Sequence, residues 1–438
     1  VCHLLPRHYS NASVLDSGFL RVGSQTVTRV VVTRILSSVY KGDLAIATAM
    51  LDTISEQQPD WQLTLMCRDP LRDHEFFSRY GTVLPELFSE SYQKLSYASV
   101  LVRLLRYILW SSGGGNWLDP AGRRFVEVVS DCNALVFCGG GSPGGYSLPN
   151  LILHSFSPML LARRMKVPVV FSATGLEANL SRVSKLICRW VFRQANLVVI
   201  RDPADARAVA ALGSDLKPVV TADWAVNLHT LPANELQEVL KRSPAGQFSG
   251  TRIGINLRDD DHVKSDYRTG ILELIAALFD LTDAVIIVFS MTRSKTTDDF
   301  RFAKEIRGRL TESQQRRMIL IDEDFSPEVI KSIISTMDIF ISTRLHPTIF
   351  SISQAVPTMA LHSQNKVRDF MVRCNLSEYF FSIENTNVKT WVNTAIYLLE
   401  KRHEVSNRIR VILPALSKAA GENMAIIETC INDTAGSN

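Results

Sequence analysis

The chain lacks the features that would hold it together covalently or around a metal. Its cysteines (Cys2, Cys67, Cys132, Cys138, Cys188, Cys374 and Cys430) are few, odd in number and scattered. A disulfide framework is therefore not expected. No CxxC pair and no cysteine–histidine cluster has zinc spacing, so no metal site is expected. Cys67 and Cys138 end apolar runs, where a free thiol acts as a small hydrophobe. No apolar run approaches the roughly 20 residues needed to span a bilayer. An excess of one charge is also missing: 48 Lys and Arg face 44 Asp and Glu, a balance that demands no nucleic-acid partner. There is no internal repeat, no extended low-complexity tract, no GxGxxG dinucleotide fingerprint and no P-loop GK[ST].

What remains is a 438-residue chain with 46% hydrophobic residues, enough for a large core and too long for one ordinary domain. Four Asn-x-Ser/Thr sequons, at Asn11, Asn179, Asn375 and Asn432, point weakly to a secreted or luminal setting. The sequence opens at Val1, compatible with an upstream segment having been removed. The compartment stays open: cytoplasmic or peripheral at an inner membrane in a bacterium, Golgi lumen in a eukaryote.

Short β-rich runs alternate with helical patterns. Strands are expected at Val30–Ile35, Leu63–Cys67, Ala134–Cys138, Val167–Ser172 and Leu197–Ile200. Helices are expected at Asp43–Ile54, Leu151–Met165, Val183–Gln194 and Ala204–Leu212. Apolar runs of this kind joined by helices indicate a parallel sheet covered on both faces. The pattern restarts at Arg252–Leu257 and continues through Ala284–Phe289, Ile339–Ser342 and Thr358–Leu361. The reading is α/β: two doubly wound Rossmann-like domains facing a cleft. An N-terminal domain takes residues 1–227 and a linker containing Pro232, Pro244, Gly246 and Gly250 takes 228–250. A C-terminal domain takes 251–410, and residues 411–438 form a helix able to cross back.

Ligands of such sheets collect beyond the carboxyl ends of the strands, and five segments put polar or glycine residues there. In YKGDLAI, Gly42 allows close approach and Asp43 suits a helix cap. In CGGGSPGGY, Gly139, Gly140 and Gly141 form either a backbone cradle or a tight packing turn. Arg201 follows an apolar strand and either grips an anion or pairs with Asp202 at the surface. Arg258 ends the strand of GINLRD. In IFISTRLHP a buried strand delivers Arg344 and His346, which in extended geometry share a side. A cation beside an imidazole, with Lys366 past the next strand, suits proton transfer to a polyanion.

In this order, these segments resemble the polysaccharide pyruvyl transferase family over roughly Val32 to Phe381. The resemblance rests on Gly42–Asp43, Gly139–Gly141, Arg201–Asp202, Asp223 in TADWA, Arg258, Arg344–Leu345–His346, Val356–Pro357 and Lys366. It implies a glycosyltransferase-B-like pair of domains and phosphoenolpyruvate as donor substrate, with no cofactor. It also implies His346 as acid/base, with Arg344, Leu345, Lys366, Arg201 and Arg258 around the donor. Gly42, Asp43, Gly139, Gly140, Gly141 and Asp223 would line the cleft on the acceptor side. The chain departs from the family in reading ATGLE after Val169–Ser172 where a glycine-proline turn is usual. It also reads HSQN at His362–Asn365 where a tyrosine is usual.

The implied reaction moves pyruvyl from phosphoenolpyruvate onto two hydroxyls of a sugar as a ketal. The competing reading is a nucleotide-sugar glycosyltransferase of the same fold, in which the glycines and arginines hold a diphosphate. The acceptor is compatible with a lipid-linked or glycan-attached sugar. The basic, aromatic helices at Arg103–Trp110 and Arg182–Arg193 suit either peripheral membrane contact or ordinary packing with snorkelling cations.

Overall fold

Runs such as RVVVTRI and VVFSAT bury every residue after the first or throughout, as strands of an internal parallel sheet must. The computed structural model describes residues 27–36, 38–88, 97–113, 115–141, 148–176, 180–258, 265–294, 297–362 and 365–435. Cys2, Asn11, Asn179, residues 142–147 of the glycine loop, Ser363 and Gln364 lie outside the described residues.

The first sheet comprises β1 (Arg29–Ile35), β2 (Gln62–Cys67), β3 (Thr82–Pro85), β4 (Ala134–Phe137), β5 (Val169–Thr174), β6 (Leu197–Ile200) and β7 (Val219–Val220). The second comprises β8 (Arg252–Asn256), β9 (Val285–Phe289), β10 (Met318–Leu320), β11 (Ile339–Ser342), β12 (Thr358–Leu361) and β13 (Phe380–Phe381). Their orders are 3-2-1-4-5-6-7 and 10-9-8-11-12-13, and every described pairing is parallel. Each order reverses once, between β1 and β4 and between β8 and β11, which makes the switch point where such sheets bind ligands. β3 and β13 do not stand out in the sequence because both are short, lie at sheet edges and are only partly buried.

One core lies under the helices Tyr97–Ser111, Pro120–Ser130, Ser157–Met165 and Arg182–Gln194 and includes Tyr107, Phe125, Phe171 and Cys188. A second runs without a break from Met50 and Trp224, through Ile255, Ile287 and Phe340, to Trp391. The two sheets thus share apolar packing, and backbone groups pin them further. Lys41 N–H donates to Met291 C=O at 3.1 Å, and Tyr40 forms an isolated antiparallel bridge with Thr292. Lys331, on the helix Pro327–Ile334, is buried and donates to the carbonyls of Val226 (2.8 Å) and Leu228 (2.7 Å). Burial lowers its pKa to about 7.

Residues 228–250 include a helix, Ala233–Arg242, that buries Leu240 and packs on the Pro327–Ile334 helix. The last helix is longer than its sequence pattern suggests, running from Arg402 to Ala435 through Pro414. It returns to the first sheet, packing on β5 and β6. There the fully buried Asn423 donates to Ala222 C=O at 2.9 Å and accepts from the Thr221 hydroxyl.

Candidate functional site

The ends of β1, β2, β4, β6, β8, β9, β11 and β12 converge on one cavity of about 320 Å³ between the two sheets. Six permanent cations line it (Arg34, Arg68, Arg201, Arg258, Arg344 and Lys366), against one carboxylate, Asp43. Walls carrying one sign of charge around a confined space focus the field on an anionic ligand.

The strand β11 ends at Ser342, and Thr343 ties it to β8 by donating its hydroxyl to Asn256 C=O at 3.0 Å. Arg344 then caps the helix Leu345–Ser353 in extended geometry. The helix therefore starts at Leu345. Arg344 and His346 do not alternate along a strand as expected; the helix turn brings both to the cavity instead. Arg344 is held by Asp299, whose fully buried carboxylate accepts from Nε at 2.9 Å and Nη2 at 2.7 Å. Asp299 also accepts from Met291 N–H at 3.1 Å. A bidentate pair of this kind fixes the guanidinium plane.

His346 is 17% exposed, its Nε2 has no hydrogen-bond partner among the described residues, and Asp223 Oδ2 lies 4.0 Å away. Burial lowers its pKa from the ordinary value; Asp223 and Asp43 push the other way, and Arg201 and Lys366 reinforce the lowering. The ring stands directly over the helix Lys41–Gln57. A Cβ added to Gly42 would lie 2.0 Å from its Nδ1. Glycine is needed at this position because the imidazole occupies the space of a side chain. Asp43 does not cap the helix: the helix begins at Lys41 with Tyr40 as cap, which leaves Asp43 inside the first turn, facing the cavity.

Arg201 follows β6 and is buried, and it does not pair with Asp202 at the surface. Its Nη1 donates to Asp223 Oδ2 at 2.9 Å, while Asp202 caps the next helix by accepting from Ala204 N–H at 2.8 Å. Arg258 faces His362 Nε2 at 3.1 Å. Burial drives that imidazole's pKa well below its ordinary value, with Arg258, Lys366 and Arg344 adding to the effect, so it meets the guanidinium as a neutral acceptor. Lys366 sits in the first turn of the helix Asn365–Arg373.

The other expected cleft residues divide. Gly141 lines the cavity, but Gly139 and Gly140 do not. A Cβ at Gly139 would meet Ser172 C=O at 2.7 Å, and Gly140 has φ +121. These two glycines serve a tight packing turn, because β4 and β5 approach closely there and the chain needs a left-handed step. Asp223 sits behind Arg201 in a smaller adjoining recess, where its other oxygen caps a short turn by accepting from Ala225 N–H.

Several lining residues give no signal in the sequence. Arg34 lies inside the apparent strand RVVVTRI, but a bulge between Val32 and Ile35 gives it φ 62 and turns it into the cavity. Bulges commonly re-aim side chains in this way. Its Nη2 donates to Gly141 C=O at 2.9 Å, and burial lowers its pKa to about 10. Asn150 reaches the cavity from the short helix Leu148–Leu151, just before the expected helix, and His154 from within it, where a π-helical turn runs from Ile152 to Phe156. His154 Nδ1 lies 2.9 Å from Glu86 Oε1. Among the described residues no group of three His, Cys, Asp or Glu is placed to hold a metal ion.

Solved structures share the architecture at low sequence identity. A glycosyltransferase from Rickettsia africae ESF-5 superposes with TM-score 0.59 at 10% identity, over 93% of this chain and 99% of that one. UDP-GlcNAc 2-epimerase from Neisseria meningitidis bound to UDP-GlcNAc gives 0.58 at 12%, over 92% and 99%. A ugt transferase from Siraitia grosvenorii in complex with UDP gives 0.57 at 13%, over 93% and 99%. These likenesses establish the fold, two Rossmann-like domains in the glycosyltransferase-B arrangement. No curated protein is similar enough in sequence to count as a match. The sequence profile described as polysaccharide pyruvyl transferase matches residues 41–365, from the helix under His346 to the residue before Lys366. The chain belongs to the polysaccharide pyruvyl transferase family, transferases of polysaccharide biosynthesis.

Proposed function

We propose that the cavity binds phosphoenolpyruvate and that the protein transfers its pyruvyl group to two hydroxyls of a glycan sugar as a ketal, releasing phosphate. The observation carrying this reading is the convergence of six cations and His346 on one small cavity with a single lining carboxylate. A donor with a carboxylate and a phosphate ester on the same carbon needs several fixed cations to orient it and to offset charge on the departing phosphate.

In this scheme Arg344, Lys366, Arg201 and Arg258 hold the donor, with the backbone N–H of Leu345 open at the start of its helix. Gly42, Asp43 and Gly141 face the acceptor. His346 delivers a proton to the methylene carbon, which becomes a methyl group. One sugar hydroxyl bonds to the neighbouring carbon, and the bond from that carbon to the phosphate oxygen breaks. The second hydroxyl closes the ring. Of the two hydroxyl protons released, one balances the proton used to form the methyl group and the other leaves with phosphate. The lowered pKa of His346 fits this role, because a bound polyanion offsets Arg201 and Lys366 and draws a proton onto the ring.

Thermal melting and phosphate release test the reading together. Phosphoenolpyruvate raises the melting midpoint and UDP does not. His346→Ala keeps the donor-induced rise but loses phosphate release with a panel of sugars. Full turnover by that variant, or a rise with UDP alone, overturns the proposal.

A further inference from the structure

The helices Tyr97–Ser111, Ser157–Met165 and Arg182–Gln194 cover the face of the first sheet opposite the shared core, the middle one packing against both others. Together they contain eight Arg or Lys residues and no Asp or Glu, in a chain whose net charge is only +4. Asp215 pairs with Arg189 and Arg193 at one edge. Arg106, Arg163, Arg164, Arg182 and Lys185 are exposed.

Amid these cations lies an apolar surface. Leu101, Val102, Leu105, Ile108 and Leu109 are 37 to 56% exposed. Their spacing puts them on one arc of their helix, with Tyr107 and its fully buried ring on the other side. Val183 and Leu186 add 52% and 66% exposed side chains on the Arg182–Gln194 helix. Asp119 holds Arg103, and the neighbouring helix Pro120–Ser130 carries an exposed Glu127, so the surplus on this face is cationic but not unmixed. Scattered exposed leucines need no explanation, but an apolar arc on one helix face beside a surplus of cations marks a contact surface.

We infer that this face docks on an anionic lipid bilayer, with the aliphatic arc entering the headgroup boundary and the cations meeting lipid phosphates. Apolar residues beside Lys and Arg without acids are the composition of an interfacial helix, and each cation near an anionic surface adds to the attraction. The same charge set disfavours pairing of this face with itself in a second copy, since like charges would meet. The face adjoins the cavity: the turn carrying Asn150 and His154 leads into the Ser157–Met165 helix and packs on the Arg182–Gln194 helix. Docking therefore sets the first-domain wall of the cavity beside the membrane.

Sedimentation of the full chain with sucrose-loaded vesicles tests this, with no donor or acceptor present. Vesicles of phosphatidylcholine with about a third phosphatidylglycerol should carry the protein down, and phosphatidylcholine alone should do so at least tenfold less well, in rough terms. Leu105→Glu/Leu109→Glu and Arg182→Glu/Lys185→Glu should each weaken binding by about tenfold or more. Both should keep the parent's melting midpoint, since the altered side chains are exposed. A full chain left in the supernatant with anionic vesicles overturns the inference, as does equal binding by all three proteins. Self-association abolished by Leu105→Glu/Leu109→Glu, without vesicle binding, would assign the face to a second copy and also overturn it.

Discussion

His346 and Gly42 come from different domains, and the imidazole of one fills the place where the other would carry a Cβ, 2.0 Å from Nδ1. Gly42→Ala is therefore expected to displace the ring. Alanine is the better helix former by about 1 kcal/mol, but a Cβ forced against the imidazole costs about 1–3 kcal/mol, so the melting midpoint should stay level or fall. Phosphate release should fall by about 100-fold, the scale of misplacing a reacting group by an ångström. A Gly42→Ala protein with parental turnover would separate this contact from the chemistry.

The acidity of His346 has a direction that kinetics can read. Burial puts its pKa below the ordinary value. As the proposed acid it must be protonated, so kcat/KM should decline as pH rises through that lowered value. Bound donor adds negative charge and raises the pKa, so the corresponding limb of kcat should lie at higher pH. Coincident limbs in the two profiles would contradict the electrostatic account.

Arg344 is positioned by Asp299, and lysine cannot reproduce a two-point pair. Arg344→Lys should raise the donor KM and reduce kcat/KM by at least about tenfold. Arg344→Ala should also destabilise the fold by about 3–5 kcal/mol, because it strands a buried carboxylate. Urea unfolding of both variants, beside donor titrations, checks the contrast.

Lys331 predicts a stability effect tied to pH. Its folded pKa of about 7 lies below the free amine's value, which is about 10.4. Between these values the unfolded chain binds more protons, so this group's contribution to stability grows as pH rises from 7 towards 10. Lys331→Met removes that slope but leaves the Val226 and Leu228 carbonyls without their donor, at a cost of about 1–3 kcal/mol. Denaturation of parent and variant at pH 7 and pH 9 should show the gap between them widening at the higher pH. Parallel curves would refute the assignment.

The alternation of buried runs and helices is enough to read both sheets, because a strand covered on both faces must be apolar throughout. Residues directly following such strands (Arg201, Arg258 and Arg344) were legible as cavity cations for the same reason. Arg34 was hidden, since a bulge inside a strand leaves no mark in a run of β-branched residues. Asp299 reads as one more acid in the charged stretch Asp298–Arg309, and only the fold reveals that it is fully buried against Arg344. His362 was visible as a departure from the family's tyrosine, but its pairing with Arg258 depends on β8 and β12 lying in one sheet. The glycine loop was read too broadly, because a close strand crossing and a ligand cradle call for the same residues.

The helix Arg402–Ala435 has a consequence for biosynthesis. It packs on β5 and β6 of the first sheet, yet it leaves the ribosome after every other described element. Through most of translation the surface around Ala222 and Trp224 therefore waits uncovered, and the early half lacks part of its cover until the second sheet has been made. Maturation of the N-terminal lobe waits on a helix made after the whole of the second sheet.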